Sequence, residues 1–166
     1  MKFRLDCMKA LYVEHLAVLL NAERQLLRAI PRALKAAASS DLRDALAARK
    51  ERTCTHVQRL ERLIARSGDH PPPARCIAME GLIDHAAELL AADGDPAVRD
   101  AGIITAAQRI EHYEIAGYGC ARTFAGLLGR DADAGVLQST LDEVRRADRW
   151  LSNIAETSVN ARAALV

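Results

Sequence analysis

The sequence predicts an all-α fold built from long amphipathic helices. Half of its 166 residues are apolar but only 4% are aromatic, and the abundance of Ala and Leu favours helices over strands. Apolar residues recur every three or four positions in four long stretches, which is the spacing of a buried helix face. We therefore predict a four-helix bundle, with residues 1–166 forming a single domain and residues 11–163 its core.

A short turn joins the first two predicted helices. The first helix covers residues 11–37, and Pro31 inside it predicts a kink or a break just before the proline. Ser39 begins a polar turn that can cap the next helix, which covers residues 41–66. Gly68 is suited to end that helix, because glycine tolerates the left-handed backbone found there.

The second pair of long helices follows a long connection. Three consecutive prolines, at 71–73, make the connection stiff, and a short helix is predicted within it over residues 76–92. The long helices then cover residues 96–129 and 132–163. Two helix pairs joined by one long crossover form the ferritin-like variant of the four-helix bundle. The predicted fold is thus a ferritin-like bundle with a short extra helix in the crossover.

Four acidic residues occur on the apolar stripes, where leucine would be expected. They are Glu23, Glu111, Glu114 and Asp148. An isolated ionised carboxylate is costly to bury, so these groups need a shared cation or cationic partners. Each acid lies about halfway along its helix, and an antiparallel bundle should therefore bring all four to the same level.

A metal centre is the first interpretation of this polar layer. Carboxylates that project inward from several helices hold the metals of di-iron and di-manganese bundles. His56 lies on the stripe of the second helix and could add a nitrogen ligand. Tyr118 follows the two acids of the third helix and could donate a hydrogen bond nearby.

A buried ion-pair network is the second interpretation. Arg49 also lies on the stripe of the second helix, and Arg52 lies on its flank. A guanidinium group has no lone pair to give a metal, but it can bind two carboxylate oxygens at once. Such a network would need no metal, and it would fix the helix register more than it would add stability.

Composition and motifs narrow the classes of function. Lys and Arg total 23 against 22 for Asp and Glu, so there is no electrostatic reason to expect nucleic acid or an acidic membrane as partner. No apolar run approaches the roughly 20 residues that span a bilayer, and we recognise no signal peptide. The four cysteines form no close pair, which favours reduced thiols and a cytoplasmic location.

Several blocks of the sequence are similar to a known family. NAERQLLRAIPRALKAA (21–37), CIAMEGLIDHAAELL (76–90), AAQRIEHYEIAGYG (106–119) and TLDEVRRADRWLSNIAETSVN (140–160) resemble the YciF/YciE-like branch of the ferritin-like superfamily. The resemblance implies a homodimer from the bacterial cytoplasm that is linked to stress responses. It also implies a di-metal centre of iron or manganese. If that centre is active, the protein would be a non-heme metal-dependent oxidoreductase or would handle peroxide.

The resemblance also implies which residues would serve the site. Glu23, His56, Glu111, Glu114 and Asp148 match the family's metal positions. Three positions depart from the family pattern: Arg49 replaces the usual His, Arg52 the usual Glu, and Val144 a frequent Glu. We therefore expect a stress-associated protein whose di-metal-type site is degenerate. The alternative is a metal-free structural or interaction protein in which buried arginines neutralise the core carboxylates.

Overall fold

The computed structural model describes residues 6–69, 71 and 73–166, and this part of the chain contains helices and no strand. The elements are α1 (Met8–Ala36), α2 (Ser40–Ser67), α3 (Ile77–Ala91), α4 (Pro96–Leu127), α5 (Asp131–Ile154), one π-helical turn (Ala155–Val159) and α6 (Asn160–Ala163). The all-α bundle with a short extra helix is therefore confirmed. None of these helices combines the length and the apolarity needed to cross a bilayer.

Four long helices pack side by side, each antiparallel to its neighbours. α1 contacts α2 and α4, and α5 contacts the same two helices from the opposite side. The direction of α5 against α2 follows from two ion pairs, because Arg59 binds Glu143 whereas Arg66, further along α2, binds the earlier residue Asp133. The crossover helix α3 packs outside this ring, on α1 and α4.

The connection between α1 and α2 is tied to α4 by one buried carboxylate. Asp100 accepts hydrogen bonds from the backbone N–H groups of Ala38 and Ser39, at 2.9 and 2.7 Å. Ser39 in turn caps α2 through its side chain, as its position before the helix predicts. Gly68 ends α2 at φ 75°, a left-handed conformation that glycine adopts without strain.

Two sequence expectations about helix continuity need correction. The sequence predicts a kink or a break just before Pro31, and α1 continues past Pro31 to Ala36, so of these two outcomes the break is absent. Pro31 is exposed, and on that side of a helix a carbonyl without its usual donor can bind water instead. The last predicted helix, over 132–163, is divided by the π-helical turn at Ala155–Val159.

Apolar clusters occupy both ends of the bundle and leave a polar layer between them. One cluster is built around Leu16, Leu60 and Leu141, and a second, near the other end of α2, includes Leu42 and Leu151. α2 contributes to both clusters, and the polar residues of its buried face lie between these contributions. The candidate site therefore sits mid-bundle, with apolar layers on both sides.

Candidate functional site in the bundle core

The polar layer is formed by buried side chains of α1, α2 and α4, with a partly exposed pair beside it. The buried members are Glu23, Arg49, Thr53, His56, Glu111, Glu114 and Tyr118. The three carboxylates among them are at most 1% exposed. Each buried member occupies a position on the apolar stripe of its helix, so the same helical periodicity that buries leucine buries these groups.

Arg49 joins the two acids of α4. Its Nη1 donates to Oε1 of Glu111, and its Nη2 donates to Oε1 of Glu114 at 2.9 Å. Glu111 and Glu114 are three residues apart and therefore project from the same face of α4. Arg52 approaches the same Glu111 oxygen more loosely, with Nη2 at 3.5 Å. The guanidinium of Arg49 thus lies between two carboxylates that a metal could otherwise bridge.

His56 uses both of its ring nitrogens within the layer. Nδ1 lies 3.0 Å from Oε1 of Glu23, and Nε2 lies 3.0 Å from Oε2 of Glu143. When both carboxyl groups are ionised, both nitrogens must carry a hydrogen to make these bonds, and the ring is then a cation. Arg59 holds Glu143 in place with two hydrogen bonds of 2.9 Å.

Tyr118 connects the acid of α1 to α4. Its hydroxyl donates to Oε1 of Glu23 at 2.6 Å, and its ring packs edge-on against His56 with 5.7 Å between the ring centroids. Burial and the neighbouring Glu23 carboxylate raise the pKa of Tyr118 well above its ordinary value. Tyr118 is therefore held in the protonated form and acts as a donor.

The charges of the layer balance when every group is ionised. Four acids, Glu23, Glu111, Glu114 and Glu143, face four bases, Arg49, Arg52, Arg59 and His56. Burial, reinforced by the other acids, raises the pKa of Glu114 well above its ordinary value even though Arg49 acts in the opposite direction. Glu114 can therefore take up a proton at a pH where an exposed glutamate is ionised.

The two arginines differ in how well they are compensated. Burial alone would lower the pKa of Arg49, but Glu114, Glu111 and Glu23 more than reverse that effect and raise it. For Arg52, burial lowers the pKa and Glu111 offsets only part of the effect. Arg49 is thus the well-matched cation of the layer, whereas Arg52 is desolvated with weaker compensation.

Asp148 is placed differently from the sequence expectation. It is partly exposed, and its carboxylate lies 3.3 Å from Nε2 of His112 and 3.3 Å from the side chain of Gln108, rather than with the buried acids. Ala147 occupies the buried position instead. The acid that α5 contributes to the layer is Glu143, and the third position that departs from the family pattern, Val144, is a fully buried apolar side chain.

Sequence reasoning missed the Arg59–Glu143 pair. Neither residue is among the site residues that the sequence predicts. Their spacing along the chain could have indicated both residues. Arg59 follows His56 by three residues, and Glu143 follows the buried Thr140 by three. Residues at that spacing share a helix face.

The side chains of the layer do not fit a bound metal in this arrangement. Glu23 and Glu111 each leave one buried oxygen, Oε2, without a hydrogen-bond partner, which favours a cation. Against that, Arg49 lies between Glu111 and Glu114, and both nitrogens of His56 face carboxylates. No group of three or more His, Cys, Asp or Glu residues is arranged to hold a metal within residues 6–69, 71 and 73–166.

The bundle with its inward-facing acids defines a ferritin-like helical protein. The chain belongs to the family described as domain of unknown function DUF892, whose model matches residues 8–164. It is similar to Protein YciF of Escherichia coli (strain K12), with 38% identity over 144 residues that cover 86% of this chain and 87% of YciF.

Two solved structures share the fold over nearly the whole chain. The crystal structure of the E. coli stress protein YciF matches with a TM-score of 0.89 and 34% identity, covering 93% of this chain and 98% of that one. YcfI from Rhodopseudomonas palustris matches with a TM-score of 0.87 and 32% identity, covering 92% and 97%. The resemblance to the YciF branch predicted from the sequence is therefore confirmed.

Proposed function

We propose that this chain is a stress-associated, ferritin-like protein whose di-metal-type site is degenerate, and that it acts as a metal-free structural or interaction protein. The observation that carries the proposal is the position of Arg49, which donates to Glu111 and Glu114 at once. A permanent cation at that point supplies the positive charge that buried carboxylates require. Glu23, His56 and Tyr118 then serve as neighbours in a hydrogen-bonded network.

Descriptions of the relatives are consistent with a role that needs no catalysis. YciF is described as a stress protein, and YcfI is proposed to be a structural protein. By this proposal the working parts of the chain are its surfaces, through contacts with a second copy or another protein, in the bacterial cytoplasm. Trp150 is a large apolar side chain that remains 39% exposed, and such residues are enriched where protein surfaces meet.

Metal analysis of the purified protein tests the proposal. Cells are grown with added iron and manganese, and the metal content is measured by mass spectrometry. We expect less than about one tenth of an equivalent per chain, because metal would have to displace the Arg49 guanidinium. A content near one or two equivalents would overturn the proposal.

A variant that removes the arginines makes the test sharper. Combining Arg49→His, Arg52→Glu and Val144→Glu restores ligand types at the three positions that depart from the family pattern. We expect this variant to bind metal and to melt at a higher temperature with Mn²⁺ than without it. Arg62→Glu, an exposed change on the same helix, is the control and should bind none. A folded triple variant without metal uptake would count against the idea of a converted site.

Residual metal binding is the second candidate, favoured by the unpartnered Oε2 atoms of Glu23 and Glu111. One ion held by Glu23, His56, Glu111 and Glu114 would require His56 to release a hydrogen bond and Arg49 to turn away. Titration of the metal-free protein with Mn²⁺, followed by electron paramagnetic resonance, separates the two functions. Saturation at one equivalent supports the metal site, and an unchanged free-ion spectrum supports the ion-pair network.

The proposed homodimer is tested separately by light scattering on a sizing column. We expect twice the mass of 18.1 kDa for the native chain. Trp150→Glu would place a charge in the apolar contact and shift the mass to that of one chain. A native mass of one chain, independent of concentration, would rule out the dimer.

A further inference from the structure

Two neighbouring helices carry charges of opposite sign on their outer faces. Residues 24–36 of α1 include four basic residues and no acid, whereas α3 includes three acids and no Lys or Arg. The exposed bases form what we call the α1 rim, namely Arg28, Arg32 and Lys35. The exposed acids form the α3 rim, namely Asp84 and Glu88. In the part of the chain that the structure describes, the only ion pair at either rim is a 3.9 Å contact between Glu88 and His85.

The two rims lie at matching heights because α1 and α3 run side by side in the same direction. Nε2 of Gln25 donates to the carbonyl of Cys76 at 3.1 Å, and the N–H of Cys76 donates to the side chain of Asn21 at 2.9 Å. At the other end, Leu90 of α3 and Leu34 of α1 pack against the same apolar cluster. Since both helices rise by about 1.5 Å per residue, the bases of the α1 rim lie level with the acids of the α3 rim.

An apolar groove separates the two rims. It leads into a cavity of about 80 Å³ whose walls are mainly aliphatic and come from every long helix and from α3. The lining residues nearest the rims are Ala29, Arg32, Ala33, Ile83 and Ala87. Each acid of the α3 rim directly follows one of these lining residues of α3, and the exposed Arg32 lines the cavity itself. The groove therefore has an apolar floor, a basic edge and an acidic edge.

The opposite charges of the two edges determine which kind of partner fits the groove. A nucleic acid or an anionic membrane would bring its negative charges against Asp84 and Glu88, and a polycation would face the α1 rim, and contacts between like charges are unfavourable. A fitting partner has an acidic edge, a basic edge and an apolar stripe between them. An amphipathic helix can present this arrangement, because polar residues flank its apolar stripe on both sides.

The cavity has a size that suits one anchoring side chain. If each water-sized group needs about 10–15 Å³, the cavity has room for roughly five to eight such groups. That is enough for the side chain of one Leu or Phe. Helices that bind in grooves are held mainly by a few apolar side chains that fill pockets of this kind.

We propose that the groove between α1 and α3 docks an amphipathic helix of another protein, with its acids facing the α1 rim, its bases facing the α3 rim and one apolar side chain in the cavity. α3 has 15 residues and is about 22 Å long, so a docked helix of about four turns lies along both rims. The inference rests on the proposed interaction role and adds to it the place where a partner binds and the chemistry of that partner.

Designed helical peptides of about 15 residues test the charge requirement. All have the same row of leucines, flanked by Glu on one side and Lys on the other, by Glu on both sides, or by Lys on both sides. Fluorescence anisotropy at low ionic strength measures their binding. We expect the mixed peptide to bind at least about tenfold more tightly than the other two and to weaken as salt is added. Equal or tighter binding of the all-Glu peptide, or of vesicles of anionic lipid, would overturn the assignment of the partner.

Reversing the charge of one rim, and then of both, tests where the mixed peptide binds. Arg32→Glu with Lys35→Glu should weaken its binding about tenfold, because one edge of the peptide then meets like charge. Adding Asp84→Lys and Glu88→Lys should restore the binding, since the peptide can then dock in the opposite direction. A folded four-residue variant without restored binding would overturn the proposal.

Further variants serve as controls and test the cavity. Arg146→Glu with Arg149→Glu, exposed changes on α5, should leave binding of the mixed peptide intact, whereas Ala33→Leu should weaken it by filling the cavity mouth. Circular dichroism checks that every variant is folded. Unchanged binding to Ala33→Leu would overturn the anchored docking.

Light scattering and metal analysis on the same samples distinguish the remaining outcomes. A change of mass from two chains to one on reversal of either rim would show that a second copy covers the groove, and would overturn the assignment to another protein. Failure of the metal-free function would appear as bound metal, whereas failure of this inference would appear as absent peptide binding.

Discussion

The bundle contains two sets of buried acids with arginines, and they are satisfied to very different degrees. At one end, Asp133 is 4% exposed and binds Arg66, Arg130 at 3.1 Å and the Tyr12 hydroxyl at 3.3 Å. In the middle, the layer around Arg49 leaves Glu23 Oε2, Glu111 Oε2, Arg52 Nε and Thr53 Oγ1 without partners.

The two sets also differ in how far their arginines are removed from water. Arg66 at the end set has a side chain that is 50% exposed, so its charge remains largely hydrated. Arg49 in the middle layer is only 9% exposed and depends on its two carboxylates. Buried polar groups are usually paired, so the atoms left without partners in the middle layer are a cost to stability that the end set does not carry.

The largest expected effect comes from removing the central cation. Arg49→Met leaves Glu111 and Glu114 buried without their main partner, and should lower the free energy of unfolding by about 3–5 kcal/mol. Arg66→Met in the end set should cost below about 1 kcal/mol, since Arg66 is half exposed and Arg130 and Tyr12 remain on Asp133. Urea denaturation of both variants measures the contrast. Equal decreases in the free energy of unfolding for the two variants would contradict the distinction between the two sets.

The tyrosines of the two sets offer a matched comparison. Tyr118→Phe removes a 2.6 Å hydrogen bond to a fully buried carboxylate, and should cost about 1.5–3 kcal/mol. Tyr12→Phe removes a 3.3 Å contact to an acid that keeps two arginines, and should cost about 0.5–1.5 kcal/mol. Thermal and urea unfolding measure the change in the free energy of unfolding for each variant. A larger decrease for Tyr12→Phe than for Tyr118→Phe would contradict this prediction.

Glu114 should give the middle layer a distinctive pH dependence. Its folded-state pKa is raised above the unfolded value near 4.5, so its contribution to stability is present below pH 4.5 and is lost as the pH rises through the folded-state pKa. Glu114→Gln keeps an oxygen that can accept from Arg49 but has no carboxyl group to ionise. The free energy of unfolding of the variant should therefore increase relative to that of the wild type as the pH rises. Urea denaturation from about pH 4.5 to 8 measures it, with exposed Glu51→Gln as control. A constant difference between wild type and Glu114→Gln would show that Glu114 does not titrate in this way.

The stability that Glu143 contributes should change with pH in the opposite direction to that of Glu114, and by a smaller amount. Burial opposes the shift, but hydrogen bonds from Arg59 and His56 lower the pKa of Glu143 below its ordinary value. The stability it contributes is present above the unfolded pKa and is lost as the pH falls through the folded-state pKa. Because Glu143 is partly exposed, Glu143→Gln should cost less than about 1 kcal/mol at pH 7, and nearly nothing once the group is protonated in both states. A cost that grew on acidification would contradict this sign.

The comparison also shows which parts of the molecule the sequence could predict. On α2 a long helix with consistent periodicity allows one choice of buried face. The seven residues at that spacing are all buried, namely Leu42, Leu46, Arg49, Thr53, His56, Leu60 and Leu63. On α5 the stripe was ambiguous, since Val144 reaches Leu151 through either Ala147 or Asp148 at helical spacing. The bundle buries Ala147, which avoids the desolvation of a further acid in the layer.

The contacts between side chains of different helices could not be predicted from the sequence. Periodicity places Arg49 on the inner face, but it does not determine that one guanidinium contacts both acids of α4. The two contacts of His56 depend on the rotation of α1 and α5 relative to α2, which no local pattern encodes. The cavity beside α3 depends in the same way on how closely the crossover helix approaches the bundle.

The guanidinium between Glu111 and Glu114 has a consequence for how the protein is made. A cation that is part of the polypeptide is present in every copy from synthesis onward, at fixed stoichiometry, and chelators or scarcity cannot remove it. If the core is neutralised in this way, newly made chains can reach the folded state when iron and manganese are withheld. The amount of folded protein in the cell would then follow the rate of translation and not the supply of metal.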